Sequence, residues 1–93
     1  SEENLLSILA EDYLVNPGVY MSREDIKIRF ANIKDEKLNE LLVSLEKKEF
    51  AKLYRDGRGT IQLAKATYKG LKEAKPSEHY KWFPEWVNKD YLF

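Results

Sequence analysis

The sequence contains no cysteine, one histidine and no long apolar run. The absence of cysteine excludes disulfide bonds and thiolate chemistry, and the single His79 supplies no histidine cluster for a metal site. No stretch is apolar enough to span a bilayer and no signal-peptide pattern is present, so we expect a soluble, cytoplasmic protein without a membrane partner. The formal net charge of zero argues against a protein that coats nucleic acid.

The charges that are present are unevenly distributed along a chain whose 93 residues suit one globular domain. Residues 1–50 carry seven Lys and Arg against eleven Asp and Glu. Residues 51–75 carry seven against two, and residues 76–93 carry two against three. The central basic segment can attract an anionic surface although the total charge is zero, and the alternative is a solvated lysine face.

Apolar residues at helical spacing predict three helices in the first half of the chain. The first covers residues 3–15 and is ended by Asn16-Pro17-Gly18. We expect Ser22 to cap the second helix and Asp35 to cap the third. The third helix carries a leucine stripe that predicts its buried face, namely Leu38, Leu41, Leu42 and Leu45.

The stretch from Leu45 to Gly70 predicts a helix end, a β-hairpin and the start of a fourth helix. Alternating apolar and polar residues flank a short glycine-containing turn, which is typical of paired strands. We expect Asp56-Gly57 to adopt the positive φ angles of a tight hairpin turn. Val19-Tyr20-Met21 suits a third strand, and Thr67 is expected to cap a helix that continues to about Ala74.

The C-terminal segment, residues 76–93, is rich in aromatic side chains. It holds six of the chain's twelve aromatic residues, which are Tyr80, Trp82, Phe83, Trp86, Tyr91 and Phe93. We expect this segment to pack on the domain formed by residues 1–75 or to form the interface with a dimer partner, because large exposed rings make an adhesive surface. Base stacking is a weaker alternative, since two lysines in the segment are offset by three acids.

Catalytic chemistry has no support in the sequence. His79 is isolated, and the paired acids such as Glu11-Asp12 are explained by helix starts and solvated faces. Gly57-Arg58-Gly59 is too short for a phosphate-binding loop. We therefore expect a protein that is not an enzyme and has no cofactor.

Three motifs give the chain a family resemblance. They are Leu45-Glu46-Lys47-Lys48, Asp56-Gly57-Arg58 and Ala66-Thr67-Tyr68-Lys69-Gly70. In this order, residues 22–71 resemble the DNA-binding core of winged helix-turn-helix regulators of the PadR and MarR type. The resemblance implies an α+β, mainly α fold with three helices, a β-hairpin wing and a fourth helix. It also implies a homodimeric transcriptional regulator that places helix 35–48 in the major groove of double-stranded DNA and wing 52–64 on the backbone or minor groove.

The chain departs from the family pattern at Glu49, where glycine is usual, at Ala66, where leucine is usual, and on the third helix. With the leucine stripe inward, the residues predicted to face outward are Glu36, Glu40, Val43 and Lys47. Carboxylates there meet the phosphate field unfavourably. The candidate phosphate contacts are Ser22, Arg23, Lys37 and Lys47, and the wing residues Arg55 and Arg58 are candidates for phosphate or minor-groove contact. Asn39 and Ser44, on the flanks of this face, are the candidate base-edge contacts. The alternative function is a winged-helix module that docks a protein partner through this acidic face and does not bind DNA.

Overall fold

A computed structural model of the chain describes residues 1–16 and 19–74. Within these ranges the chain has an α+β fold, mostly helical, with four helices and one three-stranded antiparallel sheet. The elements are α1 (Glu2–Val15), β1 (Met21–Ser22), α2 (Arg23–Arg29), α3 (Asp35–Lys47), β2 (Ala51–Arg55), β3 (Ile61–Ala66) and α4 (Tyr68–Ala74). The aromatic segment, and with it the predicted packing of Tyr80, Trp82, Phe83, Trp86, Tyr91 and Phe93 on the domain or on a dimer partner, lies outside the described residues.

The hydrophobic core lies between α1, α3 and one face of the sheet. All four leucines of the predicted α3 stripe are buried, which confirms the inward face of that helix. From α1 the buried side chains are Leu5, Leu6, Leu9, Ala10 and Tyr13. Leu71 of α4 is fully buried as well. Burial of these side chains is the main source of stability in a domain of this size.

The sheet has the strand order β1-β3-β2, so β3 is central and β2 is an edge strand. The predicted hairpin is confirmed, with Ala51 opposite Ala66 and Leu53 opposite Ala64. The third strand is also present, but it consists of Met21–Ser22 rather than of residues 19–21. Met21 is buried opposite Ala64.

Two of the three predicted helix caps are confirmed. The Ser22 hydroxyl accepts a hydrogen bond from the Asp25 amide, and the Thr67 hydroxyl accepts one from the Gly70 amide. The predicted cap at Asp35 is wrong, because Lys34 is the N-cap residue of α3 and makes no side-chain cap. The Asp35 carboxylate instead accepts hydrogen bonds from cations on α2.

The hairpin turn also differs from its prediction. The positive φ angle falls on Gly59 (+82°) and on neither Asp56 nor Gly57. The loop is longer than a two-residue turn, with the Asp56 amide donating to the Thr60 carbonyl and the Gly59 amide donating to the Asp56 carbonyl. The loop therefore needs its glycine near the end, as three- to five-residue hairpin loops commonly do.

Candidate nucleic-acid interface

The candidate interface consists of α3 and the β2–β3 hairpin, which an ion pair holds together. The two guanidinium nitrogens of Arg55 donate to the two carboxylate oxygens of Glu46, at 2.9 and 2.7 Å. The hydrogen bonds from Arg55 lower the pKa of the Glu46 carboxyl, and Glu46 in turn raises the pKa of Arg55. Both side chains remain partly exposed, at 39% and 35%, so Arg55 lies at the surface with its charge neutralised locally.

The hairpin tip is organised by Asp56. One carboxylate oxygen accepts from the backbone amides of Arg58 and Thr60, and the other accepts from the Gln62 side-chain amide. The bond from Gln62 and those from the two amides lower the pKa of Asp56, which stays ionised at neutral pH. The exposed Arg58 side chain has no ion pair with any residue of the described ranges. The tip thus presents a free guanidinium on a braced loop.

Arg23, a predicted phosphate contact, is used inside the protein. Its guanidinium donates to the Ile61 carbonyl at 3.0 Å and to the Asp35 carboxylate at 3.3 Å, and its side chain is 13% exposed. Hydrogen bonds from Lys27 and then from Arg23 lower the pKa of Asp35. Arg23 therefore joins the start of α2 to α3 and β3, which is a structural role. The hydroxyl oxygen of the neighbouring Ser22 accepts the hydrogen bond that caps α2.

The exposed surface of α3 is acidic, as the sequence predicted, but not every residue predicted to face outward is exposed. Glu36, Lys37 and Glu40 are exposed, with Lys37 3.7 Å from Glu40. The outward position predicted for Val43 is wrong, because Val43 is half-buried and packs against the core. Lys47 is exposed at the end of the helix and has no ion pair among the residues that the structure describes.

The two predicted base contacts, Asn39 and Ser44, are both half-buried. The Asn39 side-chain oxygen is buried and accepts no hydrogen bond from the described part of the protein. The Lys48 ammonium donates a hydrogen bond to the Glu2 carboxylate, and the Ser44 hydroxyl lies beside that carboxylate. Lys48 and then Ser44 lower the pKa of Glu2. Ser44 thus contributes to the contact between α3 and α1.

Of the eight predicted contacts, Lys47 and Arg58 are the exposed cations that carry no counter-charge within residues 1–16 and 19–74. The structure adds Lys34, which the sequence analysis missed. It is exposed at the start of α3 and is likewise free of ion pairs within those ranges. Its position directly before the first residue of a predicted helix is the signal that would have found it. On α3, at its start and at the hairpin tip, the arrangement offers three such cations for phosphate oxygens and few donors for base edges.

Comparison of the chain with protein-family models, with curated proteins and with solved structures finds no match. No helix in the described ranges is long and apolar enough to cross a bilayer. Nor do three or more His, Cys, Asp or Glu side chains converge in that part of the chain in a way that would hold a metal ion.

Proposed function

We propose that this chain is a winged helix-turn-helix protein that binds double-stranded DNA, with α3 in the major groove and the hairpin as the wing. The observation that carries the proposal is the bidentate Arg55–Glu46 pair, which ties the hairpin to α3. Two elements held in a fixed relation can meet a duplex together, one at a groove and the other at the adjacent backbone. The order of helices and strands, with β3 between β1 and β2, supports the same interpretation.

Affinity in this proposal comes mainly from phosphate contacts. Lys34, Lys47 and Arg58 supply the free cations, whereas the exposed Glu36 and Glu40 weaken contact with the phosphate field. Such an interface tolerates many sequences, and a single small module makes few contacts. We therefore propose a homodimer that acts as a transcriptional regulator or accessory DNA binder, with two copies sharing one duplex.

The test is binding to a random-sequence duplex across a salt series, with parallel light scattering for the oligomeric state. The variant Lys47→Ala with Arg58→Ala is compared with Lys72→Ala, which removes an exposed lysine of α4 instead. The double variant is expected to bind more weakly and to lower the slope of log affinity against log salt by about 2, because each lost phosphate contact removes about 1. Lys72→Ala is expected to match the parent. Absence of binding at low salt would refute DNA binding. Equal slopes in all three proteins would refute the assignment of Lys47 and Arg58 to phosphate contact, and a monomer would refute the dimer.

The acidic surface of α3 supports a second candidate function, a module that docks a basic protein surface. Glu36 and Glu40 lie exposed where a DNA-contacting helix usually presents donors. The variant Glu36→Gln with Glu40→Gln separates the two functions. If the protein binds DNA, removing two carboxylates tightens binding at low salt; a docking module shows no DNA binding before or after the change.

A further inference from the structure

A cavity of about 380 Å³ lies on the side of the sheet where α4 begins. It is formed by the end of α1, the two hairpin strands and the first residues of α4. Its lining residues are Tyr13, Glu49, Lys52, Lys65, Ala66, Thr67, Tyr68 and Lys69. This volume lies within the range of small-molecule sites, and the mixture of aromatic rings with a few charged groups is typical of them.

Two lysines of this cavity, Lys52 and Lys65, place like charges on neighbouring strands. Lys52 and Lys65 occupy directly opposite positions in the β2–β3 register. Like charges placed opposite each other across two strands repel and destabilise the sheet. The Lys65 ammonium lies over the Tyr20 ring, 4.8 Å from its centre, and Lys52 has no ion pair within the described ranges. Two positive charges therefore line the same cavity from neighbouring strands, and neither forms an ion pair within the described ranges.

The remaining charges of the cavity do not cancel this excess. The Lys69 ammonium is 3.4 Å from the Glu49 carboxylate, so these two side chains neutralise each other. Burial raises the pKa of the Tyr13 phenol, which therefore stays uncharged at neutral pH and adds no negative charge. The described lining of the cavity therefore carries a net charge of two positive units, and the rings of Tyr13 and Tyr68 form part of its walls. The Lys72 ammonium lies over the Tyr68 ring, 5.4 Å from its centre.

We propose that this cavity binds a small organic dianion with a flat apolar body, of the aryl phosphate class. The phosphate lies between Lys52 and Lys65 and relieves their repulsion, and the ring lies against Tyr13 and Tyr68. Ammonium groups bind phosphate as point charges, and a ring that covers the tyrosines adds apolar contact. The inference does not rest on DNA binding. Lys52 and Lys65 lie on the strands of the hairpin, but neither is among the cations assigned to phosphate contact, which are Lys34, Lys47 and Arg58.

The experiment is titration of the full chain with phenyl phosphate, followed by the amide shifts of the β2–β3 hairpin in NMR spectra. Phenol and inorganic phosphate are the matched probes, because each keeps one half of the ligand. Phenyl phosphate is expected to bind at least about threefold more tightly than either, since both parts contribute. Equal affinity for inorganic phosphate would overturn the proposal, as would absence of shifts at Lys52 and Lys65.

Variants test the position of the phosphate. Lys52→Gln with Lys65→Gln is expected to weaken phenyl phosphate binding by at least about threefold, whereas Lys37→Gln, at an exposed lysine of α3, is expected to leave it unchanged. Without ligand, the double variant is expected to melt cooperatively and near the temperature of the parent, because the lost contact of Lys65 with Tyr20 offsets the relieved repulsion. This melting curve shows that the variant is folded. Unchanged affinity in a folded double variant would refute the site.

Discussion

Arg55 and Glu46 connect the hairpin to α3 through two parallel hydrogen bonds. Arg55 is the last residue of β2, and Glu46 lies one residue before the end of α3. The paired geometry fixes the plane of the guanidinium and occupies both oxygens of the carboxylate. Since each side chain is more than a third exposed, water and salt weaken the pair, and a phosphate can compete with Glu46 for the guanidinium.

Replacement of Glu46 by glutamine is expected to release Arg55 for contact with DNA. If the chain binds a duplex as proposed, the salt slope of Glu46→Gln becomes steeper by about 0.9, the value for one additional phosphate contact. Fluorescence anisotropy with a labelled duplex at several salt concentrations measures this slope. Glu36→Gln is the control, because it removes a carboxylate of α3 that has no cation partner in the described ranges. Equal slopes in both variants would show that Arg55 does not reach the phosphates.

Glu49 is strained, and replacing it with glycine is expected to stabilise the protein. Its φ angle of +66° is in the left-handed region, directly after Lys48, the C-cap residue of α3. This conformation costs a residue with a side chain about 1–2 kcal/mol, part of which glycine loses again through its freedom in the unfolded chain. We expect Glu49→Gly to raise the free energy of unfolding by about 0.5–1 kcal/mol in urea titrations. The partly exposed contact with Lys69 is the opposing loss, and a net decrease in stability would show that it outweighs the backbone strain.

Lys47→Gly is the matched control for that experiment. Lys47 is the last residue of α3, is exposed and has no ion pair within the described part of the chain. Glycine at a helical position is less favourable than ordinary residues by about 0.5–1 kcal/mol. Glycine is therefore expected to raise the free energy of unfolding at position 49 and to lower it at position 47. If both variants lose stability, the backbone at position 49 does not favour glycine.

The elements that local patterns specify were predictable from the sequence. The leucines of α3 recur at helical spacing, and the hairpin strands alternate around a glycine-containing turn, so both elements were found. The sequence did not predict the left-handed backbone at Glu49. It showed only that glutamate stands where the family pattern has glycine. Its left-handed backbone gives the physical reason why glycine suits that position.

The polar contacts of the candidate site could not be predicted in the same way. Arg23 is bound by a carbonyl 38 positions away and by a carboxylate 12 positions away, and no local pattern encodes such distances. Ser44 was assigned to an outward flank from its helical angle alone. The angle does not reveal that α1 brings Glu2 against that flank. Tertiary packing, rather than helical periodicity, decides which polar side chains stay available to a ligand.

Gly70 is required by the close approach of α4 to Phe50, the residue directly before β2. A β-carbon at this position would overlap the carbonyl group of Phe50, and that carbonyl also accepts a hydrogen bond from the Thr67 amide. Gly70→Ala is expected to lower the free energy of unfolding by about 2–3 kcal/mol, because backbone atoms must move apart. Gly57→Ala is the control, since no atom lies within 4 Å of an added β-carbon there and φ is not positive. Equal effects of the two substitutions in thermal unfolding would contradict the close contact.

Arg23→Lys is expected to destabilise the protein although the charge is kept. A lysine ammonium cannot reproduce the forked contacts that the guanidinium makes with Ile61 and Asp35. We expect a loss of about 1–3 kcal/mol in the free energy of unfolding, because the Ile61 carbonyl loses a charged donor. Arg58→Lys is the matched control at the exposed hairpin tip and is expected to stay within about 0.5 kcal/mol of the parent. A stable Arg23→Lys protein with weakened DNA binding would instead assign Arg23 to phosphate contact.

The stability of the fold is expected to decrease in acid, because the carboxylates of its ion pairs become protonated. Hydrogen bonds from Lys27 and Arg55 hold the pKa values of Asp35 and Glu46 below their ordinary values of 3.8 and 4.5. A carboxyl whose pKa is lower in the folded state stabilises the fold fully above its ordinary value. That stabilisation is lost as the pH falls through the lowered value. Urea titrations should therefore give a constant free energy of unfolding near neutral pH and a decrease below about pH 4.5. Glu46→Gln should be less stable than the parent near neutral pH and approach it in acid, because the parent then loses the same charge. A difference that persists at the lowest pH would mean that Glu46 stabilises the fold through packing rather than through its charge.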